Sequence, residues 1–208
     1  MKFYLSSFKF GDKKAQIKQL APTDSIWIIP NALDFRIDND ENTVKSIENK
    51  IMRLKEIGLN AENLDLKQYF GNQTLLKSRI LEYGAVFVMG GNVFVLRQAM
   101  KLSGLDDILV DLHESHANFL YSGYSAAGCV LAPSLKPYQV VGDATKTPYA
   151  ELDEVIWEGL GLVDFAFMPH YKSNHPESDA IDRGIEYCVE HNIKYKAVSD
   201  GEVIVITS

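Results

Sequence analysis

Cysteine is almost missing from this chain, with two residues, Cys129 and Cys188, in 208. Neither sits in a CxxC pair or a Cys/His cluster, which excludes a disulfide framework and a structural zinc site of ordinary spacing. Concentrated positive charge is missing too. Twenty-one Lys and Arg face 28 Asp and Glu, a formal net charge of −7, and basic residues are locally dense only around Lys13 and Lys14. Such a balance disfavours phosphate backbones and anionic bilayers, so neither nucleic acid nor a membrane is an expected partner. Long hydrophobic runs are also lacking: the opening MKFYLSSFKF is too brief and too polar for a secretory segment or a membrane span. The expected location is the cytoplasm.

The residues that are present read as an ordinary globular chain, 46% hydrophobic and 24% charged, long enough for one substantial core. One domain over residues 1–208 is expected. Apolar runs of strand length recur at 3–8, 25–30, 63–66, 85–89, 119–121 and 164–168, nearly continuous in character, as strands buried on both faces are. Between them lie amphipathic stretches. In residues 43–57, Val44, Ile47, Ile51, Leu54 and Ile57 recur every three or four positions and form one helical stripe. A helix over 179–191 precedes two short runs, 194–199 and 203–207, whose Asp200-Gly201 junction reads as a hairpin turn. Residues 133–148 read as a loop-rich insertion. The pattern predicts a three-layer α/β sandwich, mainly parallel, ending in an antiparallel hairpin.

Chemistry gathers at the carboxyl ends of strands in such sheets. Ser125 stands at one of these handovers, in SGYSAAG, with Gly123 and Ala127 two residues to either side. A nucleophile elbow needs small neighbours there because its turn is sharp, although Ala127 replaces the second glycine of GxSxG and Gly128 comes one residue late. The plainer role for the same serine is a helix N-cap. MGGNVFVLRQ sends a buried strand through Gly90-Gly91 into a helix, so backbone N–H groups there, with that of Ala126, could receive an oxyanion. A tight turn or a phosphate cradle would use the same residues. DFAFMPHY ends a strand in His170, alone among five histidines in directly following a core-strand pattern, and hence a candidate base for Ser125. His113 and His116 lack a third ligand and read as solvated helix residues, with His175 in a polar loop and His191 near a helix end. Asp200 is the candidate acid that orients His170, and Asp143 its competitor.

Taken together, IIPNA at 28–32, MGGNVFVLRQ at 89–98, YSGYSAAG at 121–128, DFAFMPHY at 164–171 and SDGEVIVI at 199–206 resemble the dipeptidase E and cyanophycinase family of serine peptidases, in family order. The resemblance implies a flavodoxin-like sandwich related to class I glutamine amidotransferases. It matches Ser125 to the nucleophile, His170 to the PH histidine, and Gly91 with Ala126 to the oxyanion positions. Asp200 falls where the family has a glutamate, and Ala127 where it has glycine. The arginine that holds an acidic side chain in aspartyl dipeptidases has no counterpart in HPESDAIDRGIEY beyond Arg183, so aspartyl specificity does not follow.

The resulting expectation is a serine peptidase acting on small peptides, with no metal or organic cofactor, and a homodimer from general frequency. Two other readings compete. One is a peptide- or small-molecule-binding protein that kept this fold and lost the chemistry; the other is a nucleotide-binding domain built on Gly90-Gly91, which lacks a clear acidic ribose partner.

Overall fold

The computed structural model describes residues 1–36, 40–152 and 154–207. In chain order the elements are β1 (Lys2–Ser6), α1 (Ala15–Leu20), β2 (Ser25–Ile29), α2 (Glu41–Lys55), β3 (Asn60–Asn63), α3 (Gln73–Tyr83), β4 (Ala85–Val88), α4 (Val93–Ser103), α5 (Leu105–Glu114), β5 (Leu120–Tyr124), α6 (Ala126–Cys129), β6 (Ala166–Met168), α7 (Ser178–Glu190), β7 (Tyr195–Ala197) and β8 (Val203–Thr207). Six strands form one sheet in the order β3-β2-β4-β5-β1-β8, and β6 with β7 forms a separate parallel pair. All pairings in the large sheet are parallel except β1 with β8.

Side-chain alternation along the strands divides the core into two layers. Phe3, Leu5, Trp27, Ile29, Val86 and Val88 face one cluster with α3, α4 and α5, whereas Tyr4, Ile26, Ile28, Ala85 and Phe87 face another with α1 and α2. Every residue of β4 is buried. Helices on both faces cover the central strands β2, β4, β5 and β1, which explains why these strands are written in nearly continuous apolar residues. This is the α/β three-layer arrangement that the pattern implied.

Two elements depart from the sequence reading. The run 63–66 is not a strand: β3 lies earlier, over Asn60–Asn63, and shows only Ala61 to the core because it is the sheet's outer strand. Leu64 and Leu66 are still buried, but on a chain already turning into a short 3-10 segment, Leu66–Tyr69. The C-terminal hairpin does not form either. The turn is present, closed by Glu202 N–H donating to the Ser199 carbonyl at 2.9 Å, but its flanking strands separate. β7 joins β6 in parallel register, and β8 runs antiparallel along β1, with Val205 opposite Tyr4. Contacts on β1's side hold this exit: Ser7 N–H donates to Glu202 O at 3.1 Å and Asp12 N–H to Gly201 O at 2.8 Å. Residues 133–148 are irregular as read, with one 3-10 turn at Lys136–Tyr138.

Candidate active site

Ser125 joins β5 to α6 with φ 52° and ψ −112°, a conformation a non-glycine residue rarely holds. Its carbonyl starts the helix, receiving Gly128 N–H at 2.8 Å, while its own N–H donates to Ser6 O at 3.1 Å. The side chain makes no capping hydrogen bond. That removes the N-cap role, and among the described residues the hydroxyl makes no hydrogen bond. Gly123 has to be glycine here: a Cβ would lie 2.4 Å from Val88 O and 2.5 Å from the Ala127 Cβ. Ala127 fits in place of the motif's second glycine because Gly123 has no side chain to meet it.

Beside the elbow, β4 ends in Gly90-Gly91-Asn92. A Cβ on Gly91 would strike Ala32 O at 2.3 Å, so the turn can pack against residues 31–33 only as glycine. The Asn92 side chain caps α4, accepting from Phe94 N–H at 2.9 Å and Val95 N–H at 3.2 Å. Those amides are therefore spent, which removes the basis of a phosphate cradle at this helix. The Gly91 and Ala126 N–H groups differ: among the described residues neither donates a hydrogen bond. Both residues line a recess of about 20 Å³ beside Ser125, room for roughly one water-sized group.

His170 follows β6 through Pro169, with φ 60° and 1% exposure. Its Nδ1 lies 2.7 Å from Asp200 Oδ1. A carboxylate can only accept, so Nδ1 carries the proton and Nε2 keeps its lone pair. Ser7, just past β1, fixes both partners: its hydroxyl accepts from the His170 backbone N–H at 2.7 Å and donates to Asp200 Oδ1 at 2.8 Å. Asp200 N–H is tied in turn to Ser173 Oγ at 2.8 Å. Burial lowers the imidazole pKa from its ordinary value, and the Asp200 contact offsets part of that. Ser125 and His170 line one cleft of about 210 Å³ together with Gly90 and Gly91.

Asp143, the competing acid, is elsewhere engaged. Its Oδ1 accepts from Thr145 N–H at 2.9 Å and Thr145 Oγ1 at 2.6 Å, and Lys146 sits 3.9 Å from Oδ2. These local contacts hold its pKa below the ordinary carboxylate value, and it makes no contact with His170. His175 lies in the polar loop between β6 and α7 as read, but it is not idle there. Its ring stacks on His170 at 3.6 Å and 6°, and the Phe8 ring meets both edge-on. Glu177, two residues on, places Oε2 3.8 Å from His170 Nε2. His113 is half-buried against Phe3, with a buried Nδ1 that has no partner, rather than solvated.

Could the cluster hold a metal? The ligand atoms of His170, His175 and Glu177 lie within 4.8 Å of one another. The two rings are parallel, however, so their in-plane lone pairs run side by side instead of converging on one point. His175 Nδ1 also accepts Glu177 N–H at 3.2 Å, which puts its proton on Nε2. The arrangement suits a stacked pair of bases better than a coordination sphere.

Ser7 and Glu177 were not singled out from the sequence and carry no local signal. His175 was placed only in a polar loop; its spacing of five residues from His170 is the one sequence hint of their stacking.

With this geometry in view, comparison with known proteins is informative. Peptidase family S51 matches over residues 9–208. An uncharacterized peptidase of Listeria monocytogenes, Lmo0363, is 32% identical over 120 residues, covering 58% of this chain and 55% of that protein. Peptidase E of Streptomyces coelicolor is 31% identical over 129 residues, 60% of this chain and 49% of that one. The matched stretch thus spans about half the length of these two relatives. Among solved structures, a candidate peptidase E from Listeria monocytogenes EGD-e superposes with a TM-score of 0.72 at 22% identity, covering 100% of this chain and 98% of its own. A peptidase from an acI-B1 Actinobacterium gives 0.69 at 12% identity, with 99% and 82% covered.

Proposed function

The chain belongs to peptidase family S51, and on that premise we propose that it is a serine peptidase hydrolysing small peptides through Ser125, His170 and Asp200. The observation that carries this reading is the 2.7 Å contact between His170 Nδ1 and Asp200, which leaves Nε2 as the free base in the cleft that Ser125 also lines.

Ser125 Oγ attacks the scissile carbonyl carbon while His170 Nε2 takes its proton. Asp200 stabilises the imidazolium without itself becoming protonated. Negative charge on the carbonyl oxygen is received by the Gly91 and Ala126 N–H groups, which donate to no partner among the described residues; one such donor is commonly worth about 3 kcal/mol. Collapse of the adduct breaks the C–N bond, and His170 returns the proton to the departing amine. Water then attacks the acyl-serine, giving its proton to His170, and the second collapse restores the hydroxyl and frees the acid. Every proton is carried by a residue of the chain, and the cycle needs no electron acceptor.

Ser125→Ala tests the assignment. Peptide turnover should fall by about 10⁶-fold, as loss of a nucleophile does elsewhere, with an unchanged circular dichroism spectrum. A fluorophosphonate should label the unmodified protein at Ser125 and leave the variant unlabelled. Parental turnover by the variant rejects the mechanism, and inertness to the probe favours a binding protein on the same fold.

A further inference from the structure

In α2 the apolar stripe of Ile47, Ile51 and Leu54 carries one residue of the wrong kind. Lys50 follows Ile47 by three positions and precedes Leu54 by four, so helical phase turns it inward with them, and it is 6% exposed. Its Nζ lies 5.5 Å from the centre of the Tyr124 ring. Tyr124 meets Phe8 edge-on at 6.5 Å, and Lys9 Nζ sits 4.6 Å from the centre of that second ring. Two ammoniums thus flank one aromatic pair. Among the described residues neither ammonium has an ion pair or a hydrogen bond.

A buried lysine is ordinarily matched to a carboxylate, because a bare charge is costly away from water. Lys50 instead faces a like charge: burial first, and Lys9 second, hold its pKa below the ordinary lysine value. The contact with the Tyr124 ring offsets part of that cost. The neutral amine is therefore more populated than on a solvated lysine, and it is a nucleophile. Access to it is narrow but not closed. Among the described residues the unpartnered polar atoms sealed from solvent are Gln98 Oε1 and His113 Nδ1, and Lys50 Nζ is not one of them.

We propose that Lys50 is a modification site for carbon dioxide: its neutral amine adds to the carbon, and Lys9 pairs with the carbamate that results. The Nζ lone pair forms the N–C bond, one C=O electron pair withdraws onto oxygen, and the nitrogen releases a proton to water. A cation becomes an anion with no oxidant or further reactant. Two observations select this electrophile. Carbon dioxide is slim enough to reach a side chain 6% exposed, and its adduct supplies the negative charge that two unmatched lysines lack. An aldehyde meets only the first condition, since its imine is neutral or positive. The site stands apart from the chemistry of Ser125: Ser46, one turn before Lys50, and Tyr124 line the cleft, whereas Lys50 lies behind them. It does not depend on the peptidase reading.

Trapping tests the assignment. The chain is equilibrated with isotope-labelled bicarbonate at neutral pH, alkylated with a trialkyloxonium salt that converts carbamates to stable esters, and digested for mass spectrometry. Lys45 and Lys55, exposed on the same helix, serve as references. Lys50 should carry at least about tenfold more label than either, because neutral amine is scarce on solvated lysines. Lys9→Gln, a change at an exposed residue, should lower the Lys50 label severalfold while the melting temperature holds. Label on Lys50 no greater than on the references overturns the proposal, as does label that Lys9→Gln leaves unchanged. An inorganic anion held between the two ammoniums in place of a carbamate would give the first of those results.

Discussion

Two hydrogen bonds meet at the Ser7 hydroxyl, one from the His170 backbone and one to Asp200, and the same carboxylate oxygen holds the imidazole. Replacing Ser7 by Ala leaves a buried N–H without an acceptor and frees one carboxylate lone pair, a cost of about 1–3 kcal/mol. In the peptidase reading kcat/KM should fall at least about tenfold, as peptide hydrolysis would report; an unchanged rate would mean the relay has no part in orienting the base. The pH profile follows from the same ring. Burial holds the His170 pKa below the ordinary imidazole value of 6.5, and the base works unprotonated, so activity should survive acidification further than a solvated histidine allows. The acid limb of kcat/KM is expected below pH 6.5, and a limb above it contradicts the desolvation argument. Of these residues Ser125 and His170 were legible because each ends an apolar strand. Asp200 was legible as a candidate acid beside Asp143, though the turn alone would also ask for an aspartate. Ser7 and Glu177 were not, since a hydroxyl or a carboxylate becomes a partner through distance, which spacing along a chain does not encode.

At the scale of elements, α4 and α5 are locked by a buried ion pair. Arg97 Nη1 lies 3.0 Å from Asp106 Oδ2, and Arg97 Nε donates to Glu158 O at 2.9 Å, with the Arg97 and Asp106 side chains almost wholly enclosed. Arg97→Ala strands Asp106 in the interior and should cost about 3–5 kcal/mol, read from urea unfolding. A loss under about 1 kcal/mol would mean that Lys101, 3.8 Å from the same oxygen, takes over. The elbow makes a second case. Gly123→Ala would drive a methyl into Val88 O, so the variant should lose both stability and fluorophosphonate labelling; intact labelling would show the turn to be more tolerant than its contacts imply. Strands and helices with periodic apolar residues were legible in the sequence. β3 was misplaced because an outer strand buries one residue and its pattern fades. The final hairpin was misread because Asp-Gly specifies a turn but not what the following strand pairs with.

For the molecule as a whole, the sheet order puts the first strand between β5 and the last strand. β8 covers the edge of β1, with Val203 against one core layer and Ile204 and Ile206 against the other. Removing residues 203–208 should uncover an apolar parallel sheet at β1, and size-exclusion chromatography should then find aggregates instead of a discrete peak. A truncated chain that elutes and melts like the original would show β8 to be dispensable. The three-layer class was legible because helices on both faces demand continuous apolar strands. The splitting of the last strands between two sheets was not, since it depends on which edge is free once the others have paired.

One consequence of that closure concerns synthesis. The serine's strand and turn emerge from the ribosome before Asp200, and the pairing of residues 2–6 waits for residues 203–207. In the peptidase reading the hydroxyl therefore exists unarmed on the growing polypeptide until residues 200–207 have been made and have paired.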